Sequence, residues 1–144
     1  GYEQALGYLV AQRPLDKDGI TAAVLIAEIA AVAESEGQTL QDRLDAIADR
    51  FGRYVTAELS VKMPPADGAA WVASIEANPP TEVGGRAVVS VQTYPEANLV
   101  RLMLDGGVRL QIRPSGTEPK VKLYGEAVDL DRAALEALLA ALTR

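Results

Sequence analysis

Through residues 108–113 and 120–124 apolar and polar residues alternate, and this period of two constrains the chain more than any other feature. Val108, Leu110 and Ile112 take one phase of their run, while Arg109, Gln111 and Arg113 take the other. Val121 and Leu123 repeat the apolar phase and leave Lys120, Lys122 and Tyr124 on the polar one. The runs 87–93, 99–104, 108–113 and 120–127 therefore read as strands, with Asp105-Gly106-Gly107 as a hairpin turn between the second and third. An earlier alternation of Val55, Ala57, Leu59 and Val61 predicts a half-buried strand that stops at Pro64-Pro65. Residues 66–77 read as a short helix closed by Asn78-Pro79-Pro80. A last amphipathic helix starts near Asp129 or Asp131, with Leu135, Leu138, Leu139 and Leu142 on one face.

Before residue 53 the period is helical. Asp18 is an N-cap candidate for a helix that runs to about Glu36, where Gly37 stops it. That helix is apolar on nearly every side, so it predicts burial between other elements, with more apolar surface than its own segment can cover. A second helix follows from Thr39 to Arg50, with Thr39 as N-cap, Asp42 at N3 and a stripe of Leu40, Leu44, Ile47 and Phe51. The change of pattern near residue 53 divides the chain. A helical segment, 1–52, precedes an α+β unit, 53–144, expected as a four-stranded antiparallel sheet with two helices on one face. The excess apolar surface of the first part implies a missing partner, either upstream chain or another subunit.

Composition narrows the chemistry. The 144 residues include no Cys and no His. A thiol nucleophile, a disulfide framework, the commonest neutral-pH proton shuttle and the commonest transition-metal ligand are all missing. Serine–histidine hydrolases, cysteine proteases and most zinc enzymes are thereby excluded. The net charge of −6 disfavours non-specific nucleic-acid binding. The longest apolar stretch, Ile20 to Ala33, is interrupted by Thr21 and Glu28 and falls short of the about 20 residues a bilayer span needs. The start carries no signal-peptide pattern, and a cytoplasmic location without membrane contact is the expectation. The first residue is Gly, which fits a trimmed N-terminus or the edge of a longer protein.

Between the last two strands lies Arg113-Pro114-Ser115-Gly116-Thr117-Glu118-Pro119. Pro114 holds Arg113 extended. Gly116 can take positive φ and let successive N–H groups converge into an anion-binding nest. Ser115 and Thr117 add hydroxyl donors, and Arg113 adds a bidentate guanidinium. These donors suit a phosphate dianion. Residues 101–124 carry a local +3, from Arg101, Arg109, Arg113, Lys120 and Lys122 against Asp105 and Glu118, in a chain whose other 120 residues sum to −9. A basic island of this kind points to a discrete anion site. The spacing alone leaves an ordinary hairpin turn with incidental hydroxyls equally open. A capping box from Ser115 to Glu118 is disfavoured because Pro119 and a strand follow. A Walker A pattern is absent.

Arg113-Pro-Ser-Gly-Thr-Glu-Pro-Lys-Val-Lys-Leu-Tyr124 closely resembles the C-terminal phosphate-binding loop of the α-D-phosphohexomutases, the superfamily of phosphoglucomutase and phosphomannomutase. Gly1-Tyr-Glu-Gln-Ala-Leu-Gly-Tyr8, followed by Lys17-Asp-Gly-Ile20, resembles the sugar-recognition loop of the family's third domain and the start of its last helix. The resemblance implies that residues 1–52 are the tail of sugar-binding domain 3 with its linker helix. It implies that 53–144 are a phosphate-binding domain 4 with a TATA-binding-protein-like sheet. The family enzyme interconverts hexose 1-phosphate and hexose 6-phosphate through a phosphoserine and a hexose 1,6-bisphosphate. Its Mg²⁺ site and catalytic serine belong to upstream domains, and neither motif occurs in this chain. Arg113, Ser115, Gly116, Thr117 and Lys120 would grip the phosphate that is not being transferred, and Glu3 and Gln4 would meet the sugar hydroxyls. The implied partners are a phosphosugar and the upstream domains of the same enzyme. Two other readings stand beside this one: a stand-alone phosphosugar-binding module without catalysis, and a structural domain with no ligand.

Overall fold

Every alternating run becomes a strand of one antiparallel sheet, but the sheet has six strands where four were expected. The computed structural model describes residues 1–3, 7–12 and 15–143, which form two compact units, Gly1–Phe51 and Gly52–Arg144.

In the first unit a short hairpin pairs β1 (Tyr2–Glu3) with β2 (Gly7–Tyr8) and brings the Tyr2 and Tyr8 rings to 5.4 Å. Helix α1 spans Gly19–Ser35 and α2 spans Leu40–Phe51. Asp18 caps α1 by accepting from the N–H groups of Ile20 at 3.2 Å and Thr21 at 3.0 Å. Before α2 the Asp42 N–H donates to Thr39 Oγ at 3.1 Å while the Thr39 N–H donates to Asp42 Oδ2 at 2.7 Å, a reciprocal capping box. The all-round apolar character of α1 has a visible consequence: Ile20 is 76% exposed and Val24 64% exposed, while only Ala22 and Ala33 of the helix are buried.

The second unit consists of β3 (Tyr54–Lys62), α3 (Pro65–Ala77), β4 (Glu82–Val83), β5 (Arg86–Tyr94), β6 (Leu99–Leu104), β7 (Val108–Pro114), β8 (Lys120–Val128) and α4 (Arg132–Ala141). The strands lie in the order β3-β8-β7-β6-β5-β4. Two edges account for the extra width. The run around Val55–Val61 pairs with β8 along its whole length, Tyr54 opposite Val128 through Lys62 opposite Lys120. Its apolar phase thereby joins the same core as Val121, Leu123 and Ala127. At the other edge β4 folds back on β5 through Gly84-Gly85, with φ of 56° and 83°. Two successive left-handed residues make the tight hairpin turn that glycine permits at little cost. A strand of two residues is too short to show a period.

Both helices cover one face of the sheet. Val72 and Ile75 of α3 and Leu135, Leu138 and Leu139 of α4 share a buried cluster with Val100, Leu102, Leu104, Leu110, Ile112 and Leu123. Helix α4 is capped by Asp131, which accepts from the Ala134 N–H at 2.8 Å. At Gly125 of β8 the helix packs close, and an added Cβ would lie 2.9 Å from Leu135 Cδ1. The opposite face carries the polar phases of β3, β7 and β8 together with Met103 of β6, and among the described residues no helix of this unit shares its packing.

Candidate functional site

On the polar face, β7 and β8 set Arg109 opposite Glu126, Gln111 opposite Tyr124 and Arg113 opposite Lys122. Directly opposed residues of antiparallel strands put their side chains on the same side. The register therefore gathers the basic residues into one array. Arg109 is neutralised by Glu126 at 2.7 Å. Arg101, opposite Gln111 on β6, stacks on the Tyr94 ring at 4.7 Å and donates to its hydroxyl at 2.6 Å. With its amide oxygen turned toward Arg101, Gln111 accepts from Nε at 3.2 Å and from an Nη at 3.1 Å. Arg101 and Arg109 are thus consumed in holding the sheet face.

The end of the sheet near the loop differs. Arg113 has no ion-pair partner among the described residues, and its Nε is buried without a hydrogen-bond acceptor. Its cross-strand neighbour Lys122 reaches Glu58 at 3.5 Å and lies 5.9 Å from the Tyr124 ring. Charge interaction with Tyr124, and then with the Glu58 carboxylate, holds the Lys122 ammonium above its ordinary pKa. Lys120 pairs with Glu118 at 2.6 Å and stands opposite Lys62 of β3. The Glu118 carboxyl sits below its ordinary value because of the hydrogen bond from Lys120, reinforced by the charge of that ammonium. Two like-charged pairs, Arg113 with Lys122 and Lys62 with Lys120, therefore face each other across neighbouring rungs.

The loop itself is tied by its backbone. The Ser115 N–H donates to the Lys120 carbonyl at 2.9 Å, one rung beyond the end of β7. The Lys120 N–H donates to the Glu118 carbonyl at 2.8 Å, and the Met63 N–H fastens Pro119 to the end of β3 at 3.0 Å. Ser115 Oγ accepts from the Glu118 N–H at 3.3 Å. The capping-box geometry is therefore half realised without a helix, and the serine proton is left to point elsewhere. Gly116 does not take the positive φ expected of it. The turn closes through the Ser115 and Glu118 bonds instead, so the nest that needs a left-handed residue at Gly116 is not formed. Gly116 faces open space: an added Cβ there would meet nothing within 4 Å. Thr117 is exposed at the tip.

Of the residues singled out in the sequence, Arg113, Ser115, Gly116, Thr117 and Lys120 come together at this one end of the sheet. Glu3 lies in the β1–β2 hairpin opposite Gly7, and Gln4 lies outside the described residues. Trp71 packs against the core, and Tyr94 is occupied by Arg101. Sequence reasoning passed over Lys62 and Glu58. The polar phase of β3 was visible, but only the pairing of β3 with β8 brings these charges beside the loop. Among the described residues no group of three or more Asp, Glu, His or Cys side chains converges as a metal site. The described residues therefore offer no fit for a Mg²⁺ ion. Among the described residues no helix is long and apolar enough to cross a membrane.

Comparison with known proteins gives this arrangement a family. The model of the phosphoglucomutase/phosphomannomutase C-terminal domain matches residues 23–143. A probable phosphomannomutase of Haemophilus influenzae is 34% identical over 146 residues, covering 97% of this chain and 30% of its own length. A phosphoglucomutase of Staphylococcus aureus is 30% identical over 145 residues, covering 85% of this chain and 26% of its own. One from Staphylococcus epidermidis is 30% identical over 146 residues, covering 86% and 27%. The chain thus spans 30% or less of the length of these relatives. It belongs to the phosphoglucomutase/phosphomannomutase C-terminal domain family.

Proposed function

We propose that this chain supplies the phosphate grip, and part of the sugar site, of a phosphohexomutase that interconverts hexose 1-phosphate and hexose 6-phosphate. The observation that carries the reading is the pair of like-charged contacts at one sheet end, Arg113 opposite Lys122 and Lys62 opposite Lys120. Like charges directly opposed across strands are unfavourable, and a dianion between them turns the repulsion into attraction. The buried, unsatisfied Nε of Arg113 adds to the argument. An orphaned donor costs about 1–3 kcal/mol, so the guanidinium gains by turning toward an acceptor.

On this reading Arg113 chelates the phosphate oxygens, the Ser115 and Thr117 hydroxyls donate to them, and Gly116 keeps the approach open. Lys120 adds positive potential. These groups hold the phosphate that is not being transferred. They contribute position and electrostatics, with no bond made or broken by this chain. The loop recognises the phosphate and not the ring, as an enzyme must that binds its substrate in two orientations. Glu3 and Gln4 contact sugar hydroxyls. Residues 1–52 complete the sugar-binding domain and 53–144 form the phosphate-binding domain. The phosphoserine, the Mg²⁺ it works with and the hexose 1,6-bisphosphate intermediate belong to the parent enzyme. Its remaining domains cover the apolar surface of α1 and α2, where Ile20, Val24, Leu44 and Ile47 are exposed.

The test is calorimetric titration of the chain with glucose 1-phosphate. Weak binding that disappears in Arg113→Ala, with no mutase turnover by the chain itself, is the expected result. Heat that is unchanged in Arg113→Ala, or turnover by the chain alone, refutes the reading.

A further inference from the structure

Glu118 is the one carboxylate within the loop, and it stands where an anion-binding segment least needs a negative charge. Its Oε2 lies 2.6 Å from Lys120 Nζ. The side chain is 57% exposed, so no burial requirement keeps it there, and Lys120 is the more enclosed of the two at 22%. The backbone of Glu118 holds the loop independently of this contact, through its N–H to Ser115 Oγ and its carbonyl from the Lys120 N–H. The carboxylate is therefore dispensable for the loop's shape while it occupies the ammonium that faces the like-charged Lys62. Lys122 is supplied by a different acid, Glu58 of β3. Each of the two β8 lysines thus carries its own internal counter-ion, while Arg113 carries none among the described residues.

We propose that Glu118 is an internal counter-ion that pairs with Lys120 and must yield it when a phosphate dianion binds, so that binding is an exchange of anions at Lys120. This rests on the phosphate-grip reading above and adds the element that weakens the grip. An incoming phosphate has to break the Glu118–Lys120 pair and then lie near the released carboxylate. Both terms lower affinity and speed release. Release matters at such a site, because a phosphate held by Arg113 and Lys120 together with nothing opposing it leaves slowly. Glu118 is a positioning residue in this scheme: it acts on the ligand through Lys120.

The experiment measures the dissociation constant of inorganic phosphate and of glucose 1-phosphate for the chain, by calorimetry at fixed ionic strength, in wild type, Glu118→Gln, Lys120→Ala and the double variant. Glu118→Gln is expected to tighten both ligands about fivefold, the scale of one exposed ion pair. In the Lys120→Ala background the same substitution is expected to have less than half that effect. Glu136→Gln, which removes a remote carboxylate on α4, is expected to leave both constants unchanged and so separates local exchange from net charge. Unchanged or weaker binding in Glu118→Gln overturns the proposal, as does equal tightening with and without Lys120. Wild-type chain that binds neither ligand overturns the phosphate-grip reading itself, a result distinct from wild-type binding that Glu118→Gln fails to improve.

Discussion

Arg113 and Lys122 stand directly opposite one another across β7 and β8, on the sheet face that no helix of the unit covers. An arrangement of like charges persists in a fold when something else compensates it, here Glu58 on the lysine and, on the proposed function, a phosphate on the arginine. Arg113→Gln is therefore expected to leave the phosphate-free unfolding free energy unchanged or raise it by up to about 1 kcal/mol. It should also abolish the stabilisation that phosphate confers, which for wild type at 100 times the dissociation constant is about 2.7 kcal/mol. Thermal unfolding with and without phosphate reads both effects. A loss of stability in phosphate-free buffer contradicts the charge argument.

Lys62 is expected to bear on the site although it lies far from the loop in sequence. Lys62→Gln should weaken glucose 1-phosphate binding about two- to fivefold at low salt, with the difference shrinking as salt is raised. Titrations at two ionic strengths check this. A salt-independent effect would assign Lys62 a purely structural role.

Much of this architecture is legible in the sequence because the signals are local. The alternation of Val108–Arg113, the Asp105-Gly106-Gly107 turn, and the caps at Asp18, Thr39 and Asp131 each depend on residues within one turn of each other. The roles of Lys62 and Glu58 are not legible, since they arise only when β3 pairs with β8. The same long-range pairing turns an expected four-stranded sheet into six strands, helped by a β4 of two residues that no period can reveal. Gly116 shows the opposite limit: a glycine permits positive φ without requiring it, and the Ser115–Glu118 bond closes the loop another way.

The contact of α4 with β8 sets a packing prediction. A methyl group on Gly125 would lie 2.9 Å from Cδ1 and 3.0 Å from Cγ of Leu135, a fully buried side chain. Gly125→Ala is expected to destabilise the unit by about 1–3 kcal/mol, with the sheet and helix content retained. Denaturant unfolding gives the number, and a neutral substitution would show that α4 can shift.

The α2 cap sets a pH prediction. Hydrogen bonding from the Thr39 side chain, and then from its backbone N–H, holds the Asp42 carboxyl below its ordinary value of 3.8. A depressed native pKa means the contribution is fully present above the ordinary value and is lost as pH falls through the lowered one. Helical signal followed by circular dichroism should fall on acidification below about pH 4. Asp42→Asn should reduce the acid-dependent part of that loss. An identical acid profile in Asp42→Asn contradicts the assignment.

On the proposed function, the loop after β7 grips the phosphate of a hexose phosphate whichever end of the sugar carries it. Amide chemical shifts of the ¹⁵N-labelled chain, titrated separately with glucose 1-phosphate and glucose 6-phosphate, test it most directly. Both ligands are expected to move the Ser115, Gly116 and Thr117 amides along similar paths, with the core strands unperturbed. Shifts that leave these amides untouched, or that occur with one ligand only, would contradict it.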